Sequence, residues 1–144
     1  GLCLTDIKLD APIPHIDLQP HPWRSLKTSG SRRLIPLVGS SLWAAERLMD
    51  TSGDDVMAFP RCCNDRGCNA NSASNGLNKW LHQHAPESCV IHSFRHSLRD
   101  RLRAVECPSD IVDAIGGWTT AGIGQSCGNG YPLDVLDRWM QRIS

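Results

Sequence analysis

Net charge is the first thing this sequence lacks: fifteen Lys and Arg stand against fifteen Asp and Glu. That balance excludes a histone-like protein that holds polyanions by bulk charge, so any nucleic-acid face has to be local. No apolar run approaches the length needed to cross a bilayer, and the first residues lack the basic-then-apolar signature of a secretory signal. A soluble, intracellular protein with no membrane partner is the expectation. Internal repeats and low-complexity tracts are absent, and 144 residues suffice for a single domain, 1–144, but not for two ordinary ones. Aromatic residues make up only 6% of the chain and include one tyrosine, Tyr131.

Cysteine, by contrast, is abundant. Cys3, Cys62, Cys63, Cys68, Cys89, Cys107 and Cys127 form an odd set with two adjacent members, which suits a closed disulfide framework poorly. Free thiols are expected. The chain opens on Gly1 with residues that read as the end of a structural element, so a fragment of a longer protein is expected as well.

Patterning divides the chain into an extended third and a helical remainder. Pro12, Pro14, Pro20 and Pro22 punctuate short apolar runs at 13–18 and 33–38, which predict a small antiparallel sheet, with a turn cluster at Lys27–Ser31 between them. From Gly39 the period lengthens, and Leu42, Ala45, Leu48 and Met49 predict one helix face. Residues 51–71 read as loop. Leu77, Trp80, Leu81 and His84 then mark a second helix, and Phe94, Leu98, Leu102 and Val105 a third. A shorter helix is predicted from Pro108 to the Gly116-Gly117 stop, with Ile111, Val112 and Ile115 inward. The glycine-rich stretch 119–130 is expected to be mobile. A last helix from Pro132 would bury Leu133, Leu136, Met140 and Ile143. The fold class is α+β and mostly helical, a small antiparallel β-sheet near the N-terminus followed by a helical bundle, with Trp80 and Trp139 in or at the rim of the core.

Chemistry concentrates in residues 92–103, where four Arg against one Asp leave a local charge of +3. Helical spacing puts His92, Arg95, His96, Arg99 and Arg103 on one side, opposite the Phe94, Leu98, Leu102 stripe. A guanidinium holds two phosphate oxygens at once, and imidazole exchanges a proton near neutrality, so this face suits oxyanions. Spacing alone leaves a plain solvated basic face equally open. Residues 21–47 carry a second local excess of +4, from Arg24, Lys27, Arg32, Arg33 and Arg47 less Glu46. Such patches would hold double-stranded DNA through its phosphates, with strong salt dependence.

The order His92-Ser-Phe-Arg95-His96, then Gly116-Gly117-Trp118, then a glycine-rich segment and a Pro-initiated helix resembles the C-terminal catalytic domain of tyrosine recombinases of the phage integrase family. Gly1–Ile7 is similar to the segment after that family's first catalytic Arg, and Lys27 with Ser31–Leu37 to its lysine-bearing β-hairpin. The resemblance implies DNA integration or site-specific recombination through a covalent 3′-phosphotyrosine, without metal, ATP or other cofactor. It implies that Arg95 clamps the scissile phosphate, that His92 is its acid/base partner, that Lys27 protonates the leaving 5′ oxygen, and that Trp118 fills a slot held by His or Trp. Arg32, Arg33, His96 and Arg99 would contact phosphates. A tetrameric assembly on DNA in the full-length protein and a cytoplasmic, bacterial or prophage origin are implied too.

Two departures accompany the likeness. The family's first Arg would lie just before Gly1, and the nucleophile position, nine residues after Trp118, holds Cys127 in Cys-Gly-Asn-Gly-Tyr131. An inactivated site is therefore expected, with Tyr131 packing or capping at the start of the last helix rather than attacking DNA. The alternatives are a decayed integrase that only binds DNA, or a zinc-stabilised domain drawn from Cys63, Cys68, His82, His84, Cys89 and His92.

Overall fold

The computed structural model describes residues 1–22, 24–26, 31–64, 67–118 and 130–144. Its first third is a three-stranded antiparallel sheet: β1 (Ile7–Lys8) and β3 (Arg33–Pro36) flank β2 (His15–Leu18). The register pairs Ile7 with Ile16 and Ile16 with Ile35, so one row of branched side chains runs across all three strands. β2 and β3 are the two proline-punctuated runs expected to form the sheet, shortened at one end where Pro14 and Leu37 leave the ladder, and β1 adds a strand that was not expected; the Leu37 N–H still donates to the Pro14 carbonyl at 2.8 Å.

Helix α1 (Gly39–Thr51) follows at once. Ser41 folds back on its N-terminus, where its hydroxyl accepts from the Val38 N–H at 3.0 Å and donates to the Val38 carbonyl at 2.7 Å. Ala45 is buried and Leu42 and Leu48 pack with it on Ile7 and Leu37, whereas Met49 lies exposed at the edge of the expected stripe.

The stretch expected to be a plain loop contains a 3-10 turn (Pro60–Cys62) and a hairpin, β4 (Cys63–Asn64) with β5 (Gly67–Cys68). A disulfide between Cys63 and Cys68 closes it. This corrects the expectation of seven free thiols: directly paired residues of an antiparallel ladder bring their Cβ atoms within bonding reach. Cys3, Cys62, Cys89 and Cys107 carry free thiols.

Helix α2 (Ala70–His84) starts where Asn69 accepts from the Ser72 N–H at 2.9 Å. Of its expected apolar face only Leu81 is buried; Trp80, 56% exposed, stacks on His84 rather than entering the core.

The main core lies among α3 (Ser93–Ala104), α4 (Ser109–Gly116), α5 (Leu133–Gln141) and the end of β3. Leu102, Ile111, Val112, Ile115, Leu136, Met140 and Ile143 fill it, with Leu98, Val105 and Trp139 at its margin. Phe94 departs from the predicted stripe: it is 62% exposed and does not join the side chains packed on this core. Arg101 ties α3 to the chain just past α5 by donating to the Ile143 carbonyl. Pro108 and Pro132 both stand one residue before their helices, at the cap rather than the first helical position, in an extended conformation. Among the described residues no helix is long and apolar enough to cross a membrane.

Candidate functional site

The site is assembled where α4 ends. Gly117 adopts a left-handed conformation (φ +63°), which lets the Trp118 N–H turn back and donate to the Asp113 carbonyl at 3.0 Å. That closure lays the Trp118 indole over the last helical residue. A Cβ on Gly116 would fall 1.6 Å from the indole ring, so the close approach requires glycine there.

Three arginines from two other elements meet this corner. Arg95, on the first turn of α3, donates to the Gly116 carbonyl at 3.0 Å and places its guanidinium 4.4 Å from the Trp118 ring centroid. Arg99, one turn on, lies 5.1 Å from the same centroid and pairs with Asp113 at 3.5 Å. Arg33, at the start of β3, donates through Nε to the Ile115 carbonyl at 3.2 Å and through Nη1 to the Ser31 carbonyl at 3.0 Å. Its guanidinium passes so near Gly117 that a Cβ there would lie 2.4 Å away.

Two features of the backbone draw cations here. The last carbonyls of α4 have no helical N–H to bond, and the negative end of the helix dipole is concentrated on them. The grouping still has a cost. Burial, and then the charge of Arg95, hold the Arg33 pKa below its ordinary value. Among the described residues neither Arg33 nor Arg95 has a carboxylate within ion-pair distance, and Arg95 makes one hydrogen bond with a group that carries five donors. The corner is therefore a concentrated positive surface with donors to spare, the chemistry that receives an oxyanion bidentately.

The imidazoles lie on the same helix. His92 stands at the residue before α3, without a side-chain capping bond, and meets His96 edge to face at 5.0 Å between ring centroids, both exposed to solvent. Arg32 is exposed beside Arg33, and Arg103 turns to Asp100 at 3.8 Å, away from the cluster. Lys27 and Cys127 lie outside the described residues, as does all but Gly130 of the stretch 119–130 that was expected to be mobile.

Tyr131 is engaged elsewhere. Its hydroxyl donates to an Asp110 carboxylate oxygen in the first turn of α4, an interaction that raises the phenol pKa and lowers that of the carboxyl. Tyr131 therefore neither packs into the core nor caps α5, the roles expected of it; it is exposed and its hydroxyl is taken up by α4.

Two expectations change. Arg24, counted with the basic surface of 21–47, is bound inward: Nη1 lies 3.0 Å from Asp6 Oδ2, and the guanidinium also donates to the carbonyls of Gly1 (2.6 Å) and Gln19. Asp6 is fully buried, and a buried carboxylate requires a counter-charge. The zinc set drawn from Cys63, Cys68, His82, His84, Cys89 and His92 loses two thiolates to the disulfide, and among the described residues none of its members joins a group of three ligand atoms. The group that does form, Cys3, Asp6 and His21, is not apparent in the sequence, where no ligand spacing joins them.

Compared with protein-family models, curated proteins and solved structures, this chain matches none.

Proposed function

We propose that this chain is a DNA-phosphate-binding domain of the tyrosine recombinase type, which with Cys127 in the nucleophile position holds a phosphodiester without forming a covalent link to it. One observation carries the reading: Arg95 and Trp118, distant in sequence, stack at the same corner, with Arg33 and Arg99 beside them. Motif order alone required no such meeting. In the reaction that the resemblance implies, a tyrosine oxygen attacks phosphorus, the 5′ oxygen leaves with a proton from Lys27, and guanidinium groups hold the non-bridging oxygens of the pentacoordinate transition state. Arg95 would be such a clamp here, with Arg33 and Arg99 adding to the field. His92, at the head of α3, would exchange the proton. Cys127 supplies no phenol, and the one phenol present, Tyr131, is bonded to Asp110.

A nicked suicide duplex, from which the cleaved end diffuses away, tests both halves of the reading. It should give a salt-sensitive complex in a gel-shift assay and no covalent adduct on a denaturing gel. An adduct mapping to Tyr131 would overturn the assignment of the nucleophile position, and one mapping to Cys127 would make the domain a thiol-dependent enzyme. Absence of any complex with duplex DNA at low salt would refute the proposal as a whole.

A further inference from the structure

Away from the arginine corner, the first residues form a second polar cluster that the proposed function does not use. The 3-10 turn Leu4–Asp6 turns the Asp6 carboxylate back under the chain, where Oδ2 accepts from the Cys3 N–H at 3.1 Å and pairs with Arg24. The other oxygen, Oδ1, lies 2.7 Å from His21 Nε2. The Cys3 thiol, 1% exposed, completes the group, and its Sγ also faces the Met57 sulfur at 3.8 Å. Sγ, Oδ1 and Nε2 all lie within 4.8 Å of one another.

We propose that Cys3 Sγ, Asp6 Oδ1 and His21 Nε2 form a binding site for a borderline-soft divalent cation of the zinc class. The donor set is the first argument. One thiolate, one imidazole nitrogen and one carboxylate oxygen suit zinc-class ions, whereas calcium and magnesium require oxygen throughout. Spacing is the second. Ligands at the usual zinc distances stand roughly 3.4 to 3.6 Å apart around a tetrahedral ion. The 2.7 Å His21–Asp6 contact opens by less than an ångström to reach this, and the sulfur closes from at most 4.8 Å.

Support around the ligands is the third argument. Arg24 and the Cys3 N–H hold the outer oxygen of Asp6, which fixes the direction of the inner one, as groups behind a metal-bound carboxylate do. Charge also favours a cation here. A thiolate and a carboxylate against one guanidinium leave a buried excess of one negative charge, which a divalent cation reverses in sign. Binding displaces two protons from the ligand atoms: the Cys3 thiol proton, which passes to solvent, and the proton with which His21 Nε2 bonds Asp6 in the metal-free protein, which leaves that nitrogen as the ion takes its lone pair. His21, 16% exposed at its side chain, is the member nearest solvent, and a water on that side would complete the coordination.

The intact chain, with its Cys63–Cys68 disulfide retained, should be titrated with Co²⁺ alone and then with Zn²⁺. One equivalent of Co²⁺ should produce a thiolate-to-cobalt charge-transfer band that Zn²⁺ abolishes. Cys3→Ser should remove the band while Cys62, Cys89, Cys107 and Cys127 remain. His21→Gln, nearer the surface and not expected to disturb folding, should weaken Zn²⁺ binding at least about tenfold with an unchanged circular dichroism spectrum. A wild-type chain without the band, a band of full amplitude in the Cys3→Ser variant, or unchanged affinity in the folded His21→Gln variant would each overturn the site. DNA binding is measured separately and does not enter this test.

Discussion

Replacing Gly116 with alanine sets two opposed effects against each other at the arginine corner. Alanine in place of glycine ordinarily favours a helix by up to about 1 kcal/mol, less at a last helical residue. Here the added methyl would lie 1.6 Å from the Trp118 ring, and the backbone on either side is fixed by the α4 closure, so the indole has to move. Forcing a methyl into a packed contact costs about 1–3 kcal/mol. The Arg95 and Arg99 stacks on that ring, 4.4 and 5.1 Å from its centroid, contribute roughly 0.5–1 kcal/mol each and are lost with the movement. The steric term wins. Gly116→Ala should lose about 2 kcal/mol, read as a lower urea midpoint with an unchanged slope, and on the order of 4–8 °C in Tm for a chain of this length. Its affinity for duplex DNA should fall as well, since Arg95 loses the surface that aims it. A variant as stable as the parent, or more so, would show that Trp118 does not lie on Gly116 and would remove the physical basis of the site.

Asp6→Asn should destabilise the fold by about 3 kcal/mol at neutral pH, because it leaves Arg24 buried without its counter-charge. Burial alone would raise the Asp6 pKa, but bonds from His21 and the Cys3 N–H and the charge of Arg24 outweigh it and hold it below the ordinary carboxylate value. The stabilisation is therefore complete above an unfolded pKa of about 3.9 and disappears as pH falls through the lower folded value, so the gap between parent and variant in urea melts should narrow only in acid. Tyr131, the one tyrosine, should titrate above 10 in the ultraviolet spectrum, and Asp110→Asn should bring it back toward the ordinary phenol value.

Local signals located β2, β3 and helices α1 to α5, through the proline-punctuated runs, the helical stripes, the glycine pair after α4 and the prolines before α4 and α5, while β1 and the β4–β5 hairpin carried none. They failed where the outcome depends on what lies opposite. The stripes of α2 and α3 are equally regular, yet Leu102 is sealed by α4 and α5 while Trp80 and Phe94 meet solvent. No helical period encodes that difference. The arginine corner was legible in part. Motif order singled out Arg95 and Trp118, but Arg33 was one of several basic residues until β3 delivered it to the end of α4. Arg24, equally basic in sequence, turned inward because Asp6 was buried beside it. The Cys63–Cys68 bond depends on hairpin register, and the Cys3, Asp6, His21 group on the fold of the whole N-terminal third.

The salt dependence of DNA affinity in the parent and in Arg95→Ala bears most directly on the claim that this corner holds a phosphate. Each phosphate neutralised contributes about 0.9 to the slope of log K against log salt concentration. Arg95→Ala should therefore weaken binding about tenfold to a hundredfold at low salt and flatten that slope by about 1, similarly for duplexes of unrelated sequence. Equal affinity and an equal slope in parent and variant would contradict the account.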